Sequence, residues 1–486
     1  MDKSTAESEI EMVGMAARRM RMDTTTPGTP DWQHPEQRLA GSAGARRALA
    51  PGDRGPAASQ KSLSFWLLLV LYPFALALGT FPVFIFGVWV SAEFLFSLVC
   101  ALVVVAEAAS GRLKMAPGNP YFLLGLSLWL GANMGSLLVH PDLGTGSMVF
   151  RMLLKSLFGY MAFWVLLDQG RLSVVLKTYV AGCVLCGLFS IAFCLETGGF
   201  EALRNAAYGS QDPDVFDIDV FAGVARAGAS NLLPVWICAV WYPSVAKKWK
   251  RAGLLAVSVY LAVLAMLALR REVLVEAVVG LTVLWFAMPR RFRLGIAISG
   301  LVVGGVFVGT IALSESWQER LFNETRDNFE GRMDPRAILL LNTPTELMEQ
   351  PFLGHGPGSY PLRMTKYFPS EAVLAAETGI AAHNSFSRAA VETGMFGLSG
   401  FCLMVAALGW RVVRRKRELA RSDIGLRLTA IMIFFHLGDW LTFGDGIGSN
   451  TSWFFIGVLL YLDRRLMRED SRGTAPARQM IRPAAA

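Results

Sequence analysis

Long apolar segments separated by short polar ones fill the chain from residue 64 to residue 463. Most approach the roughly 20 consecutive apolar residues with which a helix crosses a bilayer. The pattern therefore favours an all-α polytopic membrane protein. We predict about twelve transmembrane helices, at residues 64–78, 83–106, 121–139, 149–167, 173–195, 231–246, 253–269, 273–288, 294–313, 394–411, 426–442 and 452–463.

The composition supports this class and excludes several others. Of the 486 residues, 53% are hydrophobic and 17% are charged, and the mean hydropathy is +0.42. A soluble chain of this size could not cover so much apolar surface, and disordered, collagen-like and disulfide-rich classes are excluded by the same figures. All six cysteines lie in apolar segments. Cys183 and Cys186 have the spacing of a redox or zinc motif, but we interpret them as small packing residues of a helix.

The predicted helices divide the chain into five parts. Residues 1–62 are rich in Ala, Arg, Ser, Gly and Pro and are predicted to form a disordered tail. The remaining parts are helices 1–9 at 63–313 with an outer loop at 196–230, a large outer loop at 314–393 between helices 9 and 10, helices 10–12 at 394–464, and a second tail at 465–486.

The distribution of lysine and arginine between the loops predicts the orientation of the chain in the membrane. With the N-terminal tail inside, 33 of the 46 basic residues lie on the inner side and 13 on the outer side. Cytoplasmic segments carry this excess, so we predict that both termini are cytoplasmic and that the large loop is periplasmic. The net charge of +8 is then mainly a topology signal, and we expect no nucleic-acid partner.

Four of the 13 basic residues on the outer side are arginines that are candidates for binding phosphate. Arg270 and Arg271 occupy a very short outer turn, while Arg226 and Arg332 lie in the two long outer loops. One interpretation of the Arg270–Arg271 pair is that both side chains reach lipid headgroups. The other is that they form an anion site at the outer membrane face.

A glycine-rich turn lies in the large outer loop, at residues 351–360 (PFLGHGPGSY). Its glycines predict a tight turn whose backbone amides approach a ligand closely. The turn lacks the Gly-Lys-Ser/Thr ending of a nucleotide-binding loop, so ATP is not implied. His355, between Gly354 and Gly356, either orients a phosphate or is an ordinary turn histidine.

Several motifs follow one another in a characteristic order. Arg332 follows a glycine, the glycine-rich turn comes next, then His383-Asn384, and then Glu392-Thr-Gly-Met-Phe-Gly leads into helix 10. Together with residues 223–231 (GVARAGASN) and the Arg270–Arg271 pair, this order resembles the O-antigen ligase and polymerase family.

The resemblance implies a metal-independent glycosyltransferase without a cofactor, at the periplasmic face of the bacterial inner membrane. The implied donor is an undecaprenyl-diphosphate-linked glycan, and the acceptor is a hydroxyl of a glycan or of lipid A core. Whether the reaction is polymerisation or ligation stays open, and membrane lipids are the remaining expected partners. The resemblance makes His383, Arg332 and Arg271 catalytic candidates, and its substrate-binding candidates are Arg226, Arg270, Gly354, His355, Gly356, Asn384 and Glu392.

The candidate residues also suit this chemistry by their own properties. A sugar hydroxyl is a weak nucleophile, and histidine can act as a general base near neutral pH. A diphosphate leaving group needs cations, and the arginine fork matches phosphate oxygens. An alternative is a transporter or flippase of lipid-linked sugars, but the polar residues concentrate on one outer loop rather than in repeated halves. The intramembrane residues Glu93, Glu276, His436 and Asp439 receive no specific role, although His436 and Asp439 share a helix face and can pair.

Overall fold

The structure is a computed structural model and describes residues 62–77, 82–85, 88–113, 115–141, 143–196, 232–267, 271–313, 335–367, 384–419, 424–442 and 450–473. Helices dominate these residues. In chain order they are α1 (Tyr72–Ala77), α2 (Ala92–Ala109), α3 (Pro120–Val139), α4 (Leu143–Gln169), α5 (Leu172–Glu196), α6 (Leu233–Trp241), α7 (Lys248–Leu267), α8 (Arg271–Ala287), α9 (Arg290–Leu313), α10 (Pro335–Glu349), α11 (Tyr360–Thr365), α12 (Ser385–Arg414), α13 (Ile424–Thr442) and α14 (Asn450–Gly473). A π-helical segment, Phe65–Leu71, leads into α1, and a 3-10 helix, Tyr242–Ser244, follows α6.

The described residues are predominantly helical, as predicted, and a short β-hairpin near the start of the chain corrects one predicted helix. Strand β1 (Pro82–Ile85) pairs antiparallel with β2 (Val88–Ser91), so the first third of the predicted helix 83–106 is a hairpin and α2 begins only at Ala92. The two strands consist mostly of β-branched and aromatic residues, which favour strands, and Pro82 has no amide hydrogen for a helix. The hydrophobicity of this segment alone does not distinguish a strand from a helix.

Every predicted apolar segment otherwise coincides with helix in the described residues, usually within a few residues at each end. Three of the described helical segments are both long and apolar enough to cross a membrane: Pro120–Val139, Gly146–Gln169 and Ser385–Arg414. The count of twelve spans and the sidedness of the loops stay predictions.

Glycines allow the central helices to pack closely. A β-carbon placed on Gly125 of α3 would lie 2.7 Å from the carbonyl oxygen of Gly400 in α12. Likewise, a β-carbon on Gly159 of α4 would lie 2.7 Å from the carbonyl oxygen of Trp453 in α14. Close backbone approach at small residues is the usual way in which helices associate in lipid. These contacts make α12 the helix against which α3 is fixed.

Asn119 joins the start of α3 to its neighbours. Its Oδ1 accepts hydrogen bonds from the amides of Tyr121 and Phe122, which satisfies two unpaired donors at the start of the helix. Its Nδ2 donates to Asp463 of α14 at 3.2 Å, and Asp463 also forms a close ion pair with Arg411 of α12. The relative positions of α3, α12 and α14 are therefore fixed by polar contacts as well as by glycines.

Helices α10 and α11 form a small unit on the first part of α12. Leu339, Tyr360, Met364 and Val391 bury their side chains against one another and form a cluster separate from the main core. The glycine-rich turn connects α10 to α11 and is thereby held beside α12. This arrangement positions the candidate site.

Candidate functional site

The glycine-rich turn owes its shape to three glycines in left-handed backbone conformations. Gly354, Gly356 and Gly358 have φ angles of +66°, +104° and +85°. Residues with a side chain rarely adopt such angles. The sequence prediction of a tight turn at 351–360 is therefore confirmed.

The turn pairs with a break inside α12 at Gly394, whose φ is +63° and whose ψ is −161°. The amide of His355 donates to the carbonyl of Val391 at 2.9 Å, and the amide of Gly356 donates to the carbonyl of Glu392 at 3.0 Å. In return, the amide of Met395 donates to the carbonyl of Pro351 at 2.8 Å. The break frees carbonyls of α12, and the turn supplies their partners.

These bonds correct one part of the sequence interpretation. The amides of the turn were expected to face a ligand, but those of Gly354, His355 and Gly356 all donate to carbonyls of the protein itself. The glycines do permit close approach, because a β-carbon on Gly354 would lie 2.5 Å from the backbone of Glu392. The group approached is the backbone of α12. Substrate binding by Gly354 and Gly356 stays a prediction.

Glu392 lies at the centre of this junction. It is 1% exposed, and its carboxylate accepts a hydrogen bond from Nε of Arg388 at 3.0 Å. The backbone amides of Gly358 and Tyr360 also donate to it. The partners of Glu392 in the structure are therefore protein groups that fasten the turn to α12. Its predicted role as a substrate-binding residue is not tested by these contacts.

Arg388 is a site residue that the sequence analysis missed. It lies one helical turn before Glu392 on the same face of α12, and its side chain is 13% exposed. Its Nη2 also lies 3.3 Å from Sδ of Met148 in α4. The available signal was the four-residue spacing between Arg388 and Glu392, which is typical of a helical ion pair. The pair holds a guanidinium in the first turn of α12, four residues after Asn384 in the sequence.

Asn384 caps α12. Its Oδ1 accepts hydrogen bonds from the amides of Phe386 at 2.9 Å and Ser387 at 3.1 Å. This cap satisfies two donors at the helix start and fixes where the helix begins. Asn384 directly follows His383 in the sequence, so the cap fixes the backbone of the residue next to the candidate histidine. Asn384 therefore has a structural role as a helix cap, and its role in substrate binding stays a prediction.

His355 has partners on both ring nitrogens. Its side chain is 7% exposed, its Nε2 lies 3.1 Å from the carbonyl oxygen of Glu346, and its Nδ1 lies 2.7 Å from Nη2 of Arg363. Because the arginine can only donate, Nδ1 accepts and Nε2 carries the hydrogen. Burial lowers the pKa of His355 below its ordinary value, against the hydrogen bond to Glu346, so the ring is neutral at pH 7. The structure thus places His355 between α10 and α11.

Two acidic residues and two cationic residues surround this histidine: Glu346, Glu349, Arg363 and Lys366. Glu346 is fully buried and contacts Arg363 at 3.2 Å, Lys366 at 2.5 Å and the hydroxyl of Tyr367 at 2.6 Å. Glu349 contacts the same two cations at 2.7 and 2.9 Å. Its hydrogen bond to Lys366 lowers the pKa of Glu349, and the bonds to Glu346 and Glu349 raise the pKa of Lys366. These contacts tie α10 to α11.

The same cluster is the group of described residues whose ligand atoms lie close enough to hold a metal ion. Oxygens of Glu346 and Glu349 and a nitrogen of His355 all lie within 4.8 Å of one another. Arg363 and Lys366, however, already bind both carboxylates. The protein's own cations therefore neutralise this acidic pair.

His140 is a second contact of the turn, and no sequence pattern predicts it. It caps the end of α3, and its ring Cδ2 would lie 3.6 Å from a β-carbon on Gly356. Its Nε2 is buried and has no hydrogen-bond partner among the residues that the structure describes. The end of α3 is thus part of the same junction.

Several predicted residues are not described by the structure. Arg226, Arg270, Arg332 and His383 lie outside the described residues, and for Arg271 only the backbone is described, at the first position of α8. The side chains of Glu93 and Asp439 also lie outside the described part of the structure.

His436 is buried and stacks on Trp440 with ring centroids 5.9 Å apart. Glu276 is buried and accepts a hydrogen bond from the amide of Leu232 at 3.4 Å.

The comparisons with known proteins agree with the motifs. The sequence model of one family, described as O-antigen ligase, matches residues 250–402, from α7 to the middle of α12. No curated protein matches the chain. The match supports an O-antigen ligase-type membrane enzyme of the glycosyltransferase kind and does not favour the transporter alternative. The match over residues 250–402 therefore supports the resemblance to the O-antigen ligase family that the order of the motifs predicts.

Proposed function

We propose that the protein transfers a glycan from an undecaprenyl-diphosphate-linked donor to a hydroxyl of a glycan or of lipid A core. The reaction takes place at the periplasmic face of the inner membrane. The observation that carries the proposal is the junction at the start of α12. There the glycine-rich turn, the buried Arg388–Glu392 pair and the Asn384 cap meet on one helix that is long and apolar enough to cross a membrane.

His383 is the proposed general base. It takes the proton of the acceptor hydroxyl while the hydroxyl oxygen bonds to the anomeric carbon of the donor. The bond between that carbon and the diphosphate oxygen breaks, and undecaprenyl diphosphate leaves with the electron pair. A neutral imidazole accepts one proton near neutral pH, which is the required step. The cap formed by Asn384 supports this role, because it fixes the backbone next to His383.

Arginines are the proposed binders of the diphosphate. The leaving group gains negative charge as the glycosidic bond breaks, and guanidinium groups offer paired donors that match phosphate oxygens. Arg332 and Arg271 are assigned to this charge, with Arg226 and Arg270 as further binding residues. Arg388 joins them as a positioning residue, since its ion pair with Glu392 fixes its guanidinium beside the start of α12.

The reaction can be tested directly with purified protein in detergent and a lipid-linked oligosaccharide. Glycan products and released undecaprenyl diphosphate are measured with and without lipid A core. Transfer to the core assigns a ligase, and growth of the lipid-linked glycan without the core assigns a polymerase. If the protein releases no undecaprenyl diphosphate with any acceptor, although it binds the donor, the proposed transfer is wrong.

A further inference from the structure

A large groove lies away from the candidate site, between α5, α6 and α7. Its volume is about 950 Å³. Apolar side chains form most of its length, among them Val184 of α5, Trp241 of α6 and Leu254 and Val257 of α7. None of its lining residues belongs to the candidate site described above.

One end of the groove is basic. Lys177, in the second turn of α5, and Lys247 and Lys250, at the start of α7, all line it, and no acidic residue does. None of these lysines forms an ion pair with an acidic side chain in the described part of the chain; Lys250 lies over the ring of Trp249, 5.3 Å from its centroid. Three positive charges therefore lie next to an apolar wall, and no described acidic side chain pairs with them.

The apolar wall extends from this basic end in one direction. Lys177 lies in the second turn of α5, Lys247 just before α7 and Lys250 in its first turn, and the apolar lining residues follow by one to two turns in both helices. From Lys177 to Leu185 the distance along α5 is about 12 Å. A ligand that fills the groove must combine a negative group at one end with an apolar body at the other.

The position of the basic end fits the headgroup level of a membrane. Trp249 is 69% exposed beside the lysines, and exposed tryptophans are enriched at membrane interfaces. Lysines next to apolar surface place their charged ends at the same level. The predicted orientation puts this end on the cytoplasmic side, where anionic lipids are attracted by basic residues.

We propose that the groove binds an anionic diacyl phospholipid. Its phosphodiester contacts Lys177, Lys247 and Lys250, and its acyl chains lie along α5, α6 and α7. The lysine charge decides against a zwitterionic lipid, because its own ammonium group would face three lysines. The inference does not depend on the proposed glycan transfer, since the groove shares no residue with that site.

The test measures binding of phosphatidylglycerol to the purified full-length protein by native mass spectrometry after complete delipidation. Phosphatidylethanolamine and undecaprenyl phosphate are titrated in parallel. The wild-type protein should bind one phosphatidylglycerol more tightly than either of the other two lipids. Equal binding of phosphatidylethanolamine, or tighter binding of undecaprenyl phosphate, would overturn the proposal.

Two variants separate the groove from general charge. The triple variant Lys177→Gln, Lys247→Gln, Lys250→Gln should bind phosphatidylglycerol about 100-fold more weakly. The matched control Arg414→Gln, Lys416→Gln, Arg417→Gln removes the same charge from exposed residues at the end of α12 and should bind like the wild type. Equal weakening in both triple variants contradicts a specific site.

A steric variant tests the groove without a change in charge. Gly253 lines the groove, and a β-carbon placed there would have no atom within 4 Å. Gly253→Phe should therefore fold and fill the groove, which excludes the lipid. Full phosphatidylglycerol binding by Gly253→Phe, in protein with a normal unfolding temperature, would show that the lipid binds elsewhere.

Discussion

Gly354 and Gly394 each occupy the space that a side chain on the other would need. A β-carbon on Gly354 would lie 2.6 Å from the amide nitrogen of Gly394, and one on Gly394 would lie 2.8 Å from the amide nitrogen of Gly354. Both residues also have positive φ angles. The two glycines are 40 residues apart in sequence, yet each is required by the conformation of the other. Their contact joins the glycine-rich turn to the break in α12.

This contact predicts that alanine is poorly tolerated at either glycine. Gly354→Ala or Gly394→Ala should lower the free energy of unfolding by about 2 kcal/mol or more, because of backbone strain and the displaced neighbouring backbone. The measurement is thermal unfolding of purified protein in detergent. Gly131→Ala is the control, since a β-carbon at this position in α3 meets no atom within 4 Å. Equal unfolding temperatures in all three variants would contradict the contact.

The Arg388–Glu392 pair predicts a second stability effect. Glu392→Gln leaves the guanidinium of Arg388 without its carboxylate, and breaking a buried pair in this way costs about 3–5 kcal/mol. The double variant Arg388→Gln, Glu392→Gln should recover part of this stability while glycan transfer stays low. Glu418→Gln is the control, because Glu418 forms an exposed pair with Arg415 worth about 0–1 kcal/mol.

If the Glu392→Gln protein is as stable as the Glu418→Gln control, the Arg388–Glu392 ion pair does not stabilise the fold. Normal transfer by the double variant would instead remove Arg388 from the site. The two readouts therefore separate the role of the pair in folding from its role in positioning.

His355 predicts a pH dependence of stability. Its pKa in the folded protein is lower than the ordinary value of 6.5, so the unfolded chain binds more protons as the pH falls below that value. The contribution of the neutral His355 ring to the free energy of unfolding is fully present above pH 6.5. It decreases as the pH falls towards the lowered pKa. The unfolding temperature, measured from pH 7 to pH 5, should decrease less in His355→Gln than in the wild type. His34→Gln, in the N-terminal segment, should keep the wild-type slope, and an unchanged slope in His355→Gln would contradict the assignment.

The predicted topology can be tested at two exposed residues. Leu362 of α11 is 76% exposed, and Lys416, just after α12, is exposed at the other end of that helix. Single cysteines at these positions, in a variant without the six native cysteines, are treated with an impermeant thiol reagent in cells with a permeabilised outer membrane. We expect labelling at residue 362 and protection at residue 416, because basic residues concentrate on the cytoplasmic side. Labelling at residue 416 and protection at residue 362 would show that the orientation is the opposite of the predicted one.

The sequence predicted the helices well because runs of apolar residues report burial in lipid or in a core directly. It failed at residues 82–91, where an equally apolar segment forms a hairpin. Hydrophobicity does not separate strand from helix over such a short length; the β-branched and aromatic residues of this segment carried the missing information.

For the site, the sequence located the elements but not their contacts. The glycine pattern at 354–358 predicts a tight turn, but glycines do not tell which group approaches them, and here it is the backbone of α12. Arg388 was missed because its carboxylate partner was read as a substrate ligand. The cap formed by Asn384 could have been expected from its position before a helix.

The most direct test of the account is the rate of glycan transfer by His383 variants of the purified protein. Loss of a positioned general base reduces a rate by about 10²–10⁴-fold, so His383→Ala and His383→Gln should both be nearly inactive. The amount of folded protein and the affinity for the lipid-linked donor should stay close to those of the wild type, since the arginines hold the donor. Near-normal transfer by His383→Gln, which can form hydrogen bonds but cannot accept the proton, would contradict the proposed mechanism.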